Sequence, residues 1–84
     1  MIKVKRFNNV INQFIIRTDK GVYFQSYDTI IAFRPNYGSP IQLDNNNWNY
    51  SKTTGKYRNI FLNEDKRETE KKIFNGTYIL TELN

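Results

Sequence analysis

The chain contains neither cysteine nor histidine. Without cysteine there is no disulfide framework and no thiolate metal site. Without histidine the commonest general base, the usual pH switch and the commonest metal ligand are missing together. No apolar run approaches the roughly 18–20 residues a bilayer span needs. The opening Met1-Ile2-Lys3-Val4-Lys5-Arg6 carries charge where a signal peptide places its apolar stretch, so a cytoplasmic protein is the expectation. The triplets Asn49-Tyr50-Ser51 and Asn75-Gly76-Thr77 then have no meaning as glycosylation sites.

What is present is short and basic. At 84 residues the chain is expected to form one domain, residues 1–84. A chain of this size buries only about 60–65% of its unfolded surface, so its core is small. The formal net charge is +5. Residues 1–42 hold six Lys/Arg against two Asp/Glu, and residues 43–84 hold seven against six. The excess therefore sits mostly in the first half, and it favours an acidic partner, either nucleic acid or an acidic protein face. Twelve asparagines, including Asn45-Asn46-Asn47, read most simply as compositional bias.

Periodicity predicts an α+β domain. Ile2 and Val4 alternate with Lys3 and Lys5, which suggests a first strand ended by Asn8-Asn9, residues that tolerate positive φ. Val10–Thr18 and Val22–Tyr27 alternate around Asp19-Lys20-Gly21, the clearest hairpin in the chain. In the second arm Val22, Phe24 and Ser26 share one face, and Tyr23, Gln25 and Tyr27 the other. Thr29–Phe33 is β-branched and stops before Arg34-Pro35. A short strand at Ile41–Leu43 follows, then a loop carrying Trp48.

Helical period begins near Ser51. Ser51 or Thr53 serves as cap, and Tyr57, Ile60 and Phe61 mark the inner face. A second helix has Asn63 as cap, Glu64 and Asp65 at its positive end, a Glu68–Lys72 pair, and Ile73 and Phe74 as anchors. Thr77–Leu83 closes the sheet. The predicted order is β-β-β-(β)-α-α-β, a mostly antiparallel sheet with two short helices before the last strand.

No arrangement of side chains carries catalysis. Ser51-Lys52-Thr53-Thr54-Gly55-Lys56-Tyr57 lacks the glycine and hydroxyl that a phosphate-binding loop needs, since Tyr50 and Tyr57 occupy those positions. The carboxylates Glu64, Asp65, Glu68 and Glu70 alternate with lysine and arginine, which reads as a solvated, self-paired face. The expectation is a protein that is not an enzyme and needs no cofactor or metal. Candidate binding residues are Lys52, Lys56 and Arg58, which have no acidic neighbour between Trp48 and Leu62, lining part of an electropositive surface that includes Lys3, Lys5 or Arg6. Trp48 and Tyr50 are candidate anchors in the adjoining loop. Tyr23 and Tyr27 are candidates for stacking bases.

Several segments carry a family resemblance. They are Phe24-Gln25-Ser26-Tyr27-Asp28-Thr29, Trp48-Asn49-Tyr50-Ser51-Lys52-Thr53-Thr54-Gly55-Lys56-Tyr57-Arg58, Phe61-Leu62, Glu68-Thr69, Lys72-Ile73 and Gly76-Thr77-Tyr78-Ile79-Leu80. In these the chain resembles small uncharacterised proteins of phages and mobile elements in low-GC Gram-positive bacteria. The resemblance implies an accessory protein in the cytoplasm of a bacterial host. Such a protein works by occupying a host protein or protein–nucleic-acid complex, as anti-CRISPR and anti-restriction proteins do. Direct, weakly sequence-specific binding of nucleic acid is the alternative. The positive charge disfavours mimicry of DNA.

Overall fold

The computed structural model describes all 84 residues. Six strands form one sheet in sequence order: β1 (Lys3–Arg6), β2 (Gln13–Arg17), β3 (Gly21–Ser26), β4 (Thr29–Pro35), β5 (Gln42–Asp44) and β6 (Ile79–Thr81). Neighbours are antiparallel except β5 and β6, which run parallel. Helices α1 (Lys52–Leu62) and α2 (Lys66–Phe74) make the crossover that a parallel pair requires. The mostly antiparallel α+β layout expected from the periodicity is the observed one, with one strand more ahead of the helices than the predicted order counts.

The β2–β3 hairpin pairs Arg17 with Val22. Its turn is tied by the Thr18 hydroxyl, which accepts from the Lys20 and Gly21 amides. Gly21 has no alternative there: a Cβ would lie 2.3 Å from the Arg34 carbonyl oxygen. Asparagine does conformational work that composition alone hides. Asn8, Asn9, Asn12 and Asn63 all have positive φ, a region that asparagine enters more readily than most residues.

Strand β4 continues through Arg34 and Pro35, past the predicted stop at Phe33. Arg34 holds it in place by donating to the Phe61 carbonyl and lying 4.4 Å over the Phe61 ring. A bulge opposite Phe24 adds one residue to this strand, and Ile31 and Ala32 are both buried. These two join Phe24, Leu43, Phe61, Leu62 and Tyr78 in the core between sheet and helices.

Three helical expectations need correction. Ser51 caps α1 as one of the two choices, but Asn63 ends α1 in the left-handed conformation instead of starting α2. The cap of α2 is Asp65, whose carboxylate accepts from the Glu68 amide. The inner face of α1 is Thr54, Arg58, Phe61 and Leu62, at i, i+4, i+7 and i+8, so Ile60 is left 44% exposed. On α2 Ile73 packs on the core while Phe74 is 94% exposed. Hydropathy misled at both helices, because polar Thr54 and Thr69 fill buried positions.

Candidate cationic groove at the start of α1

Ser51 accepts from the Thr54 amide and starts α1 at the end of the loop that carries Trp48. Thr54 shares a hydrogen bond with Ser26 of β3 at 2.9 Å, which seats this end of the helix on the sheet. One flank of the same turns, with Asn49 and the first residue of α2, borders an open groove of about 570 Å3. Its wall holds no hydrophobic residue: Lys52, Lys56, Arg58 and Lys66 supply four cations. Asn49, Ser51, Gly55 and Asn59 complete it, with no carboxylate and no apolar side chain among them.

Arg58 is the unusual member. It is 1% exposed, so it does not belong to the solvated surface expected of it. Its guanidinium donates to the Trp48 carbonyl (2.9 Å), to Asn49 Oδ1 (3.3 Å) and to Asn59 Oδ1 (2.9 Å), and lies 5.3 Å over the Trp48 ring. Its Nε is buried without a partner. All three acceptors are neutral, and neither ion pair of the protein includes Arg58. Burial lowers its pKa, while Glu64 and Glu70 favour the charge from beyond contact. A buried cation without a counter-ion is costly, since buried charges are ordinarily paired.

None of Lys3, Lys5 and Arg6 lines the groove. Lys3 and Lys5 lie on the helix side of β1, because Lys3 faces Arg17 and Lys5 faces Ile15 across the ladder. Arg6 faces Phe14 and so points to the opposite side. Lys3, Arg17, Val22 and Arg34 form one row across the sheet, at the Phe61 end of α1. Lys52 and Lys56 belong to the Ser26 end. Along α1, Lys52 stands nine residues from Phe61, about 13–14 Å at 1.5 Å rise per residue, and Lys56 five, about 7–8 Å.

The aromatic candidates also divide. Trp48 is half-buried and packs against the core as a lid. Tyr50 stands 59% exposed between groove residues Asn49 and Ser51. Tyr23 lies on the helix-free face with its ring stacked on Phe33 at 4.2 Å, so part of its stacking surface is occupied. Tyr27 has left the strand: its φ of 56° places it in the two-residue turn between β3 and β4, and no shared platform with Tyr23 exists.

Two carboxylates are structural hubs, and one of them, Glu64, belongs to the set read as a solvated face. Glu64 accepts from Lys72 Nζ (2.6 Å), Thr69 (2.6 Å) and the Tyr78 hydroxyl (2.8 Å), joining the α1–α2 link to the residue before β6. Lys72 thus pairs with Glu64 and not with Glu68, which meets Lys71 at 4.0 Å. Burial works against the Glu64 charge, but the bonds from Lys72, Thr69 and Tyr78 outweigh it and hold the pKa below the usual range. Asp44 behaves alike: burial opposes its charge, and donors led by the Leu83 amide and Asn47 depress its pKa overall. Asp44 anchors the asparagine loop and the C-terminal segment, whose Asn84 side chain pairs with both backbone groups of Ile30.

Sequence reasoning missed Lys66, Asn49 and Asn59 as groove residues. Only the short α1–α2 link, Asn63–Asp65, hints that Lys66 returns beside α1. No three acidic residues come together in a way that could hold a metal ion, and no helix is long and apolar enough to cross a membrane.

No curated protein and no solved structure matches the chain. Residues 2–76 match a family of unknown function (DUF8033), and since that span covers most of the chain, the protein belongs to this family.

Proposed function

We propose that the protein is a small, non-catalytic accessory protein of the kind carried by phages and mobile elements, and that it binds and modulates a nucleic-acid-handling or defence complex of its host. The groove at the start of α1 is its contact, and phosphates of the nucleic acid in that complex are the group it receives. The observation that carries this reading is the buried Arg58 guanidinium, which has no counter-ion and opens onto a groove whose other cations are Lys52, Lys56 and Lys66. A phosphate there gains charge-assisted hydrogen bonds and compensates a buried charge. No hydrophobic residue lines the groove, so it lacks the aromatic or aliphatic anchor pocket around which a protein hot spot forms.

A second reading rests on Tyr50, whose exposed ring at the rim suits an anchor against an acidic protein face. One set of measurements separates the two. Binding of labelled oligothymidylate is compared at two salt concentrations for the wild type and for a variant with Lys52, Lys56 and Lys66 all changed to alanine. Contact with nucleic acid predicts weaker binding by the variant and a salt slope flatter by about 0.7–0.9 per lost phosphate. Contact with an acidic protein predicts instead a nuclease-resistant partner from host lysate, slower association by the triple variant, and faster dissociation by Tyr50→Ala. Undiminished binding by the triple variant in both assays removes the groove from the function.

A further inference from the structure

At the other end of α1 the helices stop short of the sheet's first strands and leave a hollow of about 190 Å3. Phe7, Ile15, Val22, Ile60 and Phe61 form its apolar lining, and Arg17 and Arg34 stand at it. Lys3 faces Arg17 directly across the β1–β2 ladder. Like charges in directly opposed positions destabilise a sheet, and no acid answers them: neither ion pair of the protein involves Lys3, Arg17 or Arg34. The nearest acid along β2 and its turn, Asp19, is in no ion pair either. Ile60 contributes a large side chain that the fold leaves 44% exposed.

We infer that this hollow is a second binding site, for a short acidic segment of a partner protein. One or two apolar side chains of the segment enter the hollow, and flanking carboxylates pair with Arg17, Arg34 and Lys3. Charge complementarity selects the class of partner, and the rings select protein over nucleic acid. Phe61 is packed by Phe7 and Phe24 and has the Arg34 guanidinium over its face, and Phe7 is set edgewise against Phe24. Phe61, 7% exposed, therefore offers no free face for a base to stack on. An apolar floor flanked by two arginines suits a leucine or phenylalanine beside aspartate or glutamate, with the arginines taking carboxylates bidentately. The site is independent of the groove, because it shares no lining residue with it.

The test uses the whole protein, a capped probe peptide Glu-Asp-Phe-Leu-Asp-Glu, and the same peptide with lysine in place of each acid. Amide and methyl shifts followed by NMR are expected to move saturably at Ile15, Arg17, Val22, Arg34 and Ile60 with the acidic peptide, and not with the basic one. Arg17→Glu and Ile60→Ala alter exposed side chains. Each is expected to weaken binding about fivefold or more, as loss of an interface anchor does, while the thermal midpoint stays near that of the wild type. A Lys52/Lys56/Lys66→Ala variant should bind the peptide as well as the wild type. The inference is overturned by an absence of saturable shifts, by shifts at the α1 groove instead, or by oligothymidylate occupying this hollow in competition with the peptide.

Discussion

The two helices are held by opposite means. Helix α1 has no acid in its first turn and no base in its last, and contains a glycine, yet five of its residues are buried. Helix α2 has Asp65 as cap, Glu68 in its first turn and Lys71 and Lys72 in its last, yet Thr69 is its single buried residue. One helix exists because the sheet covers its inner face. The other is stabilised by its own charges and by Glu64, which lies outside it and receives Lys72, Thr69 and Tyr78. The difference follows from where free energy is available in so small a domain. Apolar burial is concentrated where α1 meets the sheet, and α2 depends on polar contacts that water and protons contest.

The contrast is open to attack at its strongest point. Phe61→Ala empties the place where α1, Arg34 and the core cluster meet, and should cost about 3–5 kcal/mol, enough to unfold most molecules of this size. Denaturant melts check this. An unchanged midpoint would mean that packing at Phe61 is not what holds α1.

A smaller effect is expected at Glu64. Glu64→Gln keeps the shape but removes the charge that Lys72 and Tyr78 meet, and should cost about 1–3 kcal/mol at neutral pH. The pH dependence carries a sign. Glu64 and Asp44 have folded pKa values below their unfolded ones, so their contribution is complete above the unfolded values of about 4.3 and 3.9. It is lost as pH falls through the folded values. Thermal midpoints should therefore be level from about pH 7 to 5 and drop below about pH 4. Glu64→Gln should start lower and drop less steeply in acid. Parallel curves for the two proteins would assign the acid transition elsewhere.

The smallest effect sharpens the picture of α1. Gly55→Ala removes a helix-interior glycine, and its new methyl would meet the Arg58 guanidinium at 3.6–3.9 Å, an ordinary contact. A gain of about 0.5–1 kcal/mol is expected, visible as a rise of several degrees in midpoint. A loss would show that the guanidinium needs the open space beside it.

Some of this was legible from residue order alone. Alternation located the β2–β3 hairpin and its Arg17–Val22 register, because a strand's side chains answer to a period of two whatever the partner. Composition excluded thiolate and imidazole chemistry, and dipole-matched charges located α2. Local chemistry acts within a few residues, so it can be read from a few residues.

What lies inside was decided by the tertiary fold. Arg58, grouped by its sequence neighbours with surface lysines, is enclosed because α1 turns it toward Trp48, 10 positions away in the chain. Glu64 became a hub through Tyr78, 14 positions on, and Lys3 and Arg17 became unanswered neighbours only when β1 paired with β2. That none of Lys3, Lys5 and Arg6 lines the groove has the same origin. Charge is a property of the residue, but whether that charge meets water, an acceptor or another cation depends on contacts between distant segments, and those exist only once the sheet and α1 have packed.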